Sequence, residues 1–447
     1  MKQKILLAIT ALLATLCLLA SCGTAPTVEI SEDGYWVIDG EKTDVLAKGE
    51  KGDPGNSENI QGLAFFLKDD GTYIVEVGYA KYLSNIEIPE TYHGKAVTEI
   101  GEYAFSDCES LASIVIPSSI TKIGNSAFKG CSNLNSVTIP SGVTAIGEAT
   151  FSDCTRLESV SIPDSVTSIG NNAFYVCPRL AEVVIPSGVT AIGDSAFYYC
   201  RGLTSVAIPD STTSIGKEAF YNCTNLKSVE IGNGVKSIGS SAFKNCQYLE
   251  SIVIPDSVTK IGTAAFYGCA RLVSATIGNS VMGIDNETFY SCKKLESIVI
   301  PDNVKRIGDY AFDDCTNLKS VTIGNGVQTV ATCSFRNCKN LTTVVFGNKV
   351  ERIEDEAFYG CVNLAGLTIP DSVVSIGAWS FFGCRSFPSV VIGKNLRSIG
   401  TAAFDDCKKL TDVYYSGSEE SWSKIEIGNS NDELIEATLH CDYVPEE

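Results

Sequence analysis

Fourteen of the eighteen cysteines recur every 23 residues: Cys108, Cys131, Cys154, Cys177, Cys200, Cys223, Cys246, Cys269, Cys292, Cys315, Cys338, Cys361, Cys384 and Cys407. Thiols in such number offer a disulfide ladder, metal-thiolate sites or a nucleophile. If successive repeats stack ~4.8 Å apart, their Cα separation suits a disulfide. Parallel side chains, however, hold the Cβ atoms at that same separation, outside the usual ~3.5–4.5 Å. Zinc needs ligands converging on one point, and each repeat supplies one thiol. The reading favoured is a column of buried free cysteines serving as small apolar residues. Cys333 and Cys441 lie off the column and are the thiols expected to react.

Other chemistry finds no support. The two histidines, His93 and His440, fall near opposite ends of the repeats, so no nucleophile and oriented base assemble around them. Local hydrogen bonding is the expected role of each. No phosphate-cradling Gly-Lys-Ser/Thr loop and no helical His-Glu-x-x-His pair occurs. No catalytic, cofactor-binding or metal-binding residue is assigned, and the chain is expected not to be an enzyme.

The elements that position these residues follow from one repeat. Ile238-Gly239-Ser240-Ser241-Ala242-Phe243-Lys244-Asn245-Cys246 leads through Leu249 to Ser251, Ile252, Ile254, Pro255 and Val258. Ala242, Phe243 and Cys246 are spaced as on one face of a short helical turn, while Ile252 and Ile254 alternate as in a strand. Proline lacks the ladder amide and glycine tolerates unusual backbone angles, so either residue ends the strand and closes the turn of the coil. A strict period means stacked equivalent units, each too small to fold alone. The reading is an α/β repeat solenoid over residues 99–415, a right-handed coil of about 14 turns. Residues 61–98 read as a β-rich N-terminal cap and residues 416–447 as a C-terminal cap, with Trp422, Ile425 and Ile427 covering the last open edge.

Ahead of the solenoid, Lys2 and Lys4 precede an apolar run from Ile5 to Ala20 that ends in Leu19-Ala20-Ser21-Cys22. This reads as a signal peptide over residues 1–21. Its ending resembles a bacterial lipobox, which implies a lipid on Cys22 and membrane attachment through that lipid alone. Within residues 22–60, Tyr35–Ile38, an Asp39-Gly40 turn and Val45-Leu46 predict a hairpin. Gly49 to Gly55, with glycine every third residue, predicts a spacer. The formal charge of −19 repels phosphate backbones, so nucleic acid is not an expected partner, and no basic cluster is evident along the chain.

Surface positions carry what recognition the sequence suggests. The residue after each core phenylalanine is Tyr175, Tyr198, Tyr221, Tyr267, Tyr290, Tyr359 or Phe382 in half of the repeats, a candidate ligand-binding stripe on one flank. Flat shielding of the layer beneath is the competing account. The outward strand positions form one row of serines, Ser136 to Ser320, and one of valine and threonine, Val115 to Val391. Small and β-branched residues suit a sheet for propensity reasons alone. Glu230 is the only charge in the second row.

The unit Ile-Gly-x-x-Ala-Phe-x-x-Cys-x-x-Leu-x-Ser-Val-x-Ile-Pro resembles the BspA-like leucine-rich-repeat surface proteins, in which Leu-x-x-Val-x-Ile stands for the wider superfamily's Leu-x-x-Leu-x-Leu. The entry Asp70-Gly71-Thr72-Tyr73 and the exit Val413-Tyr414-Tyr415-Ser416-Gly417 look like that family's flanks. The resemblance implies a leucine-rich-repeat-like solenoid with one concave parallel sheet and short helical turns on its other side. It also implies export, lipid anchoring and display on a bacterial envelope. Adhesion to a protein ligand, host extracellular matrix or another bacterial surface, is the implied function. The alternatives are a non-catalytic module capturing glycan on Trp36 or the tyrosine stripe, and a structural envelope spacer.

Overall fold

The computed structural model describes residues 61–444 and, before them, three strands, Val28–Ile30, Tyr35–Ile38 and Glu41–Leu46. These three pair antiparallel in chain order, with Tyr35 opposite Leu46 and Ile38 opposite Glu41. The signal segment, Cys22 and the glycine-rich spacer lie outside the described residues. The chain divides after Asn59 into two units.

The second unit is a parallel-strand solenoid of about 16 turns, two more than the cysteines number. The added turns come from the caps: Asn85–Glu87 pairs with Ser113–Val115, and Asp412–Tyr415 pairs with Thr438–His440. Most turns contribute to two ladders, where the sequence reading expected one sheet. The long ladder uses strands such as Ser251–Ile254, with Ser251 and Val253 outward and Ile252 and Ile254 buried. The short ladder uses two-residue strands such as Ser237–Ile238, each opposite its equivalent one turn on. A strand of two residues is too brief for period-two alternation to reveal it.

The expected helical turns are absent from the repeats; among the described residues, α-helix occurs only at Glu419–Trp422 and Asp432–Glu436. The residue two before each core phenylalanine and the residue before each ladder cysteine take positive φ, as at Ser241 (56°) and Asn245 (61°). Each such residue flips the chain, so successive amides alternate in direction. In the Ser241 repeat, Ala242 N, Lys244 N and Cys246 N donate within the turn to the carbonyls of Gly239, Ser241 and Phe243. Ser241 N, Phe243 N and Asn245 N instead donate to Thr263, Ala265 and Tyr267 of the next turn, at 2.7–2.8 Å. A helix satisfies its amides internally; this segment spends half of them on its neighbour, which is what stacking requires.

The core is a column. Rings from Phe105 to Phe404 stack in thirteen consecutive pairs, 5.1–5.4 Å between centroids, and the Cys and Leu columns lie beside them, buried throughout. Thirteen ladder thiols donate Sγ–H to the phenylalanine carbonyl of the preceding turn, as Cys246 does to Phe220 O at 3.3 Å. That carbonyl also accepts the cysteine amide of its own turn, Cys223 N to Phe220 O at 3.2 Å. Cysteine therefore suits the slot on two grounds: it is small and apolar, and it offers a weak donor where a buried acceptor has spare capacity.

Turns approach most closely at the glycine after the short strand. A Cβ on Gly239 would sit 2.5 Å from Gly216 C and Lys217 N. Asp285 departs from this glycine column, and there the short ladder thins to single bridges at Ile284. Ala331 and Glu354 also depart, yet their strands remain paired.

Both ends of the stack are covered. At the N-terminus, Ala64–Leu67 and Tyr73–Glu76 form a hairpin whose second strand meets Lys95–Ile100 in parallel. At the C-terminus, Glu426–Ile427 extends the short ladder, Ile425 is buried, and Trp422 packs edge-on against Tyr415 at 5.2 Å.

Candidate functional site

The aromatic stripe forms, but as stacked rather than open rings. Tyr175, Tyr198 and Tyr221 stack at 4.7 and 4.8 Å, Tyr267 on Tyr290 at 4.6 Å, and Tyr359 on Phe382 at 4.9 Å. All seven side chains are half-buried. The gap after Tyr221 is filled by Lys244, whose Nζ lies 4.0 Å over the Tyr267 ring. Burial, then neighbouring tyrosines or carboxylates, pushes the Tyr198, Tyr267 and Tyr290 hydroxyls above their ordinary range. Within each stack the facing surfaces of the rings are spent on one another, which leaves edges, hydroxyls and the outer faces of the end rings. Trp36, the other aromatic considered for glycan, has its side chain outside the described residues.

The stripe breaks at Asp313, which occupies the same position yet is buried, contrary to the expectation that this position points outward. Arg336 of the next turn donates from Nε and Nη2 to Asp313 Oδ2, at 3.1 and 2.7 Å, and from Nη1 to Glu356 at 3.4 Å. Burial raises the Asp313 carboxyl, and Arg336 works against that shift. Arg336, Glu356, Tyr359, Trp379 and Phe382 border a cavity of 420 Å³.

Burial of the thiols corrects one expectation. All sixteen cysteines among the described residues are free, and no cluster of metal-ligating side chains is found among them. Cys333, expected to be reactive, is 1% exposed, and burial pushes its thiol up to about 11. Cys441 is the one described cysteine that is not buried. A thiol-specific reagent at neutral pH is therefore expected to label Cys441 alone among the described cysteines of the native protein, and the column only after denaturant is added. Labelling of ladder cysteines before unfolding would contradict this burial.

The histidines stay apart. His440 Nε2 lies 2.7 Å from Asp412 Oδ1 and its ring stacks on Tyr414, and that contact holds the Asp412 carboxyl below its usual range. His93 occupies the tight turn joining Thr91–Tyr92 to Lys95–Ile100.

Two outward faces remain. In the row beside the serines, valines stand exposed: Val253 is 61% and Val299 63% exposed on the long ladder, and Val184 is 78% exposed in a turn where that ladder is reduced to a bridge at Glu182. On the short ladder, the cations Lys260, Arg306 and Arg352 are exposed at equivalent positions. A search for contiguous basic clusters misses them, because 46 residues separate each from the next. That interval, two repeats, is the signal that finds them.

No helix among the described residues is long and apolar enough to cross a membrane, and no curated protein matches the chain. A leucine-rich repeat protein from Bacteroides ovatus is 30% identical, with 85% of this chain and 98% of that chain covered and a TM-score of 0.65. A leucine rich cell surface protein from Faecalibacterium prausnitzii is 28% identical over 82% of this chain and 96% of that one, with a TM-score of 0.44. The model of the BspA type leucine rich repeat region, a six-copy unit, matches residues 78–204, 190–319 and 306–426. With buried Phe, Cys and Leu columns at a 23-residue period beneath those matches, the chain belongs to the BspA-type leucine-rich-repeat family.

Proposed function

We propose that the chain is exported, lipid-anchored through Cys22 to a bacterial envelope, and displays a non-catalytic solenoid that captures a protein ligand in adhesion. The observation that carries this reading is the outward row of valines, Val115, Val184, Val253, Val299 and Val345, 51–78% exposed. Large apolar side chains held outward every two or three turns along one row support an extended contact surface. The adjacent row is mostly serine and nearly uncharged, in keeping with the depletion of charged residues at the core of a protein interface. The family's surface-protein relatives favour the same reading.

The test is capture of matrix proteins and bacterial surface proteins by the ectodomain, residues 22–447. Replacing Val184, Val253 and Val299 together by lysine is expected to weaken capture about tenfold or more, each charge adding an uncompensated desolvation. The melting curve is expected to stay in place, because these side chains contact solvent. Equal capture by the variant, or no capture by either protein, retires the reading.

A further inference from the structure

The first residue of each short strand points outward, and from Lys260 it reads Lys260, Gly283, Arg306, Thr329, Arg352, Ser375. These positions are neighbours in register down the ladder, through Ile261, Ile284 and Ile307 and then residue by residue. Cations thus alternate with small neutral residues, one cation every two turns, a separation of ~9.6 Å at the usual strand spacing. One position earlier, the same face carries Lys236, Lys305 and Arg397, all exposed. The strip ends at a groove of 880 Å³ bordered by Lys394, Arg397 and Lys424 beside the C-terminal cap.

Local acids neutralise this face only in part. Arg306 meets Asp285 at 3.2 Å, Arg352 meets Glu354 at 3.1 Å, Lys394 meets Asp371 at 3.6 Å and Lys424 meets Glu420 at 2.7 Å, each with more than half of the cationic side chain in solvent. Glu351 and Glu426 are the other acids of these rows, and Glu426 also borders the groove. Lys236, Lys260, Lys305 and Arg397 enter no ion pair among the described residues. On a chain of formal charge −19, a strip where cations outnumber acids selects an anionic partner at that place alone.

We propose that the short-ladder face from Lys236 to Lys424 binds an extended acidic polysaccharide bearing a carboxylate on alternate sugars. An extended chain of β-linked pyranoses advances by about one strand spacing per sugar. Laid along the ladder axis, it sets each uronate over Lys260, Arg306 or Arg352 and each neutral sugar over Gly283, Thr329 or Ser375. Gly283 leaves room for ring substituents, and the hydroxyl of Ser375 can bond them, as can that of Thr329, which accepts from Arg352 Nη2 at 3.1 Å and still has its own proton to donate. Nucleic acid is disfavoured by its own charge density: one phosphate per ~1.7 Å of duplex meets a cation only every second turn, and the rest of the surface repels it. Each pairing is exposed and individually weak, so affinity comes from register over many turns and declines with salt.

This face is distinct from the valine row, so the inference stands or falls apart from the protein-ligand reading. The experiment measures binding of the ectodomain to hyaluronan, which alternates a uronate with a neutral amino sugar, against neutral chitin oligomers, polyglutamate and single-stranded DNA. Hyaluronan is expected to bind alone, and raising the ionic strength to about 1 M, where the Debye length is ~3 Å, is expected to release it. The triple variant Lys260→Ser, Arg306→Ser, Arg352→Ser is expected to lose about tenfold in affinity or more with an unchanged melting curve. Lys227→Ser with Lys319→Ser, on the long-ladder side, is expected to leave binding as it was. Absence of hyaluronan binding, equal binding of polyglutamate or DNA, or retention of affinity by the triple variant would each overturn the proposal.

Discussion

Raising the pH through about 9 is expected to unfold the repeats steeply. Burial pushes the ladder thiols above their ordinary value of 9.0, to about 11 at Cys108, to about 12 at Cys269 and higher still along most of the column. An acid whose folded pKa is raised is neutral in both states at pH 7 and contributes nothing there. Once the pH passes the unfolded value, the unfolded chain releases the proton and the folded chain keeps it. Stability is then lost until the pH reaches the folded value. One proton is worth about 1.36 kcal/mol per pH unit, so thirteen shifted thiols set a limiting slope of about 18 kcal/mol per unit for complete unfolding. Tyr198, Tyr267 and Tyr290 act in the same direction nearer pH 10. Denaturant midpoints measured from pH 7 to 11 test this. A variant with four mid-column cysteines changed to alanine should start less stable and fall less steeply, and an equal slope would remove the thiols as the cause.

The second large effect is local. Phe243→Ala is expected to cost about 3–5 kcal/mol, since the ring is fully buried between Phe220 and Phe266 at 5.3 and 5.4 Å and its neighbours cannot close the void without leaving their own partners. In a stack where each turn touches only the next, that cost should spread outward from its origin. Hydrogen exchange should accelerate most at the amides of Phe220, Phe243 and Phe266, less two turns away, and least near Phe105 and Phe404. Uniform acceleration along the chain would mean the solenoid opens as one unit.

The core columns and the outward strand rows were legible because a core position repeated fourteen times announces itself by type. The turn geometry was not, because the spacing of Ala242, Phe243 and Cys246 fits two successive tight turns as well as one helical turn. A clue was nonetheless present: eleven of the fourteen residues before the ladder cysteines are Gly, Asn or Asp, from Asp107 to Asp406. These types tolerate the left-handed region. Val176, Tyr199 and Ser291 adopt it too, held by stacking on turns that already have. The buried Asp313 and the cation strip escaped the sequence reading for one reason, that both are defined by neighbours a turn away in space.

The alternating amides give each turn of the solenoid hydrogen bonds that run along the stack axis to the turn beyond. Pulling on one end of the stack loads those bonds along their own direction and one turn at a time, so the chain yields by peeling rather than by shearing as a block. A 23-residue turn pulled free releases roughly 75–80 Å of chain at ~3.3–3.6 Å per residue. On the anchoring and capture proposed above, the first few coils would form a reserve of slack that lengthens under flow before the far end releases its ligand.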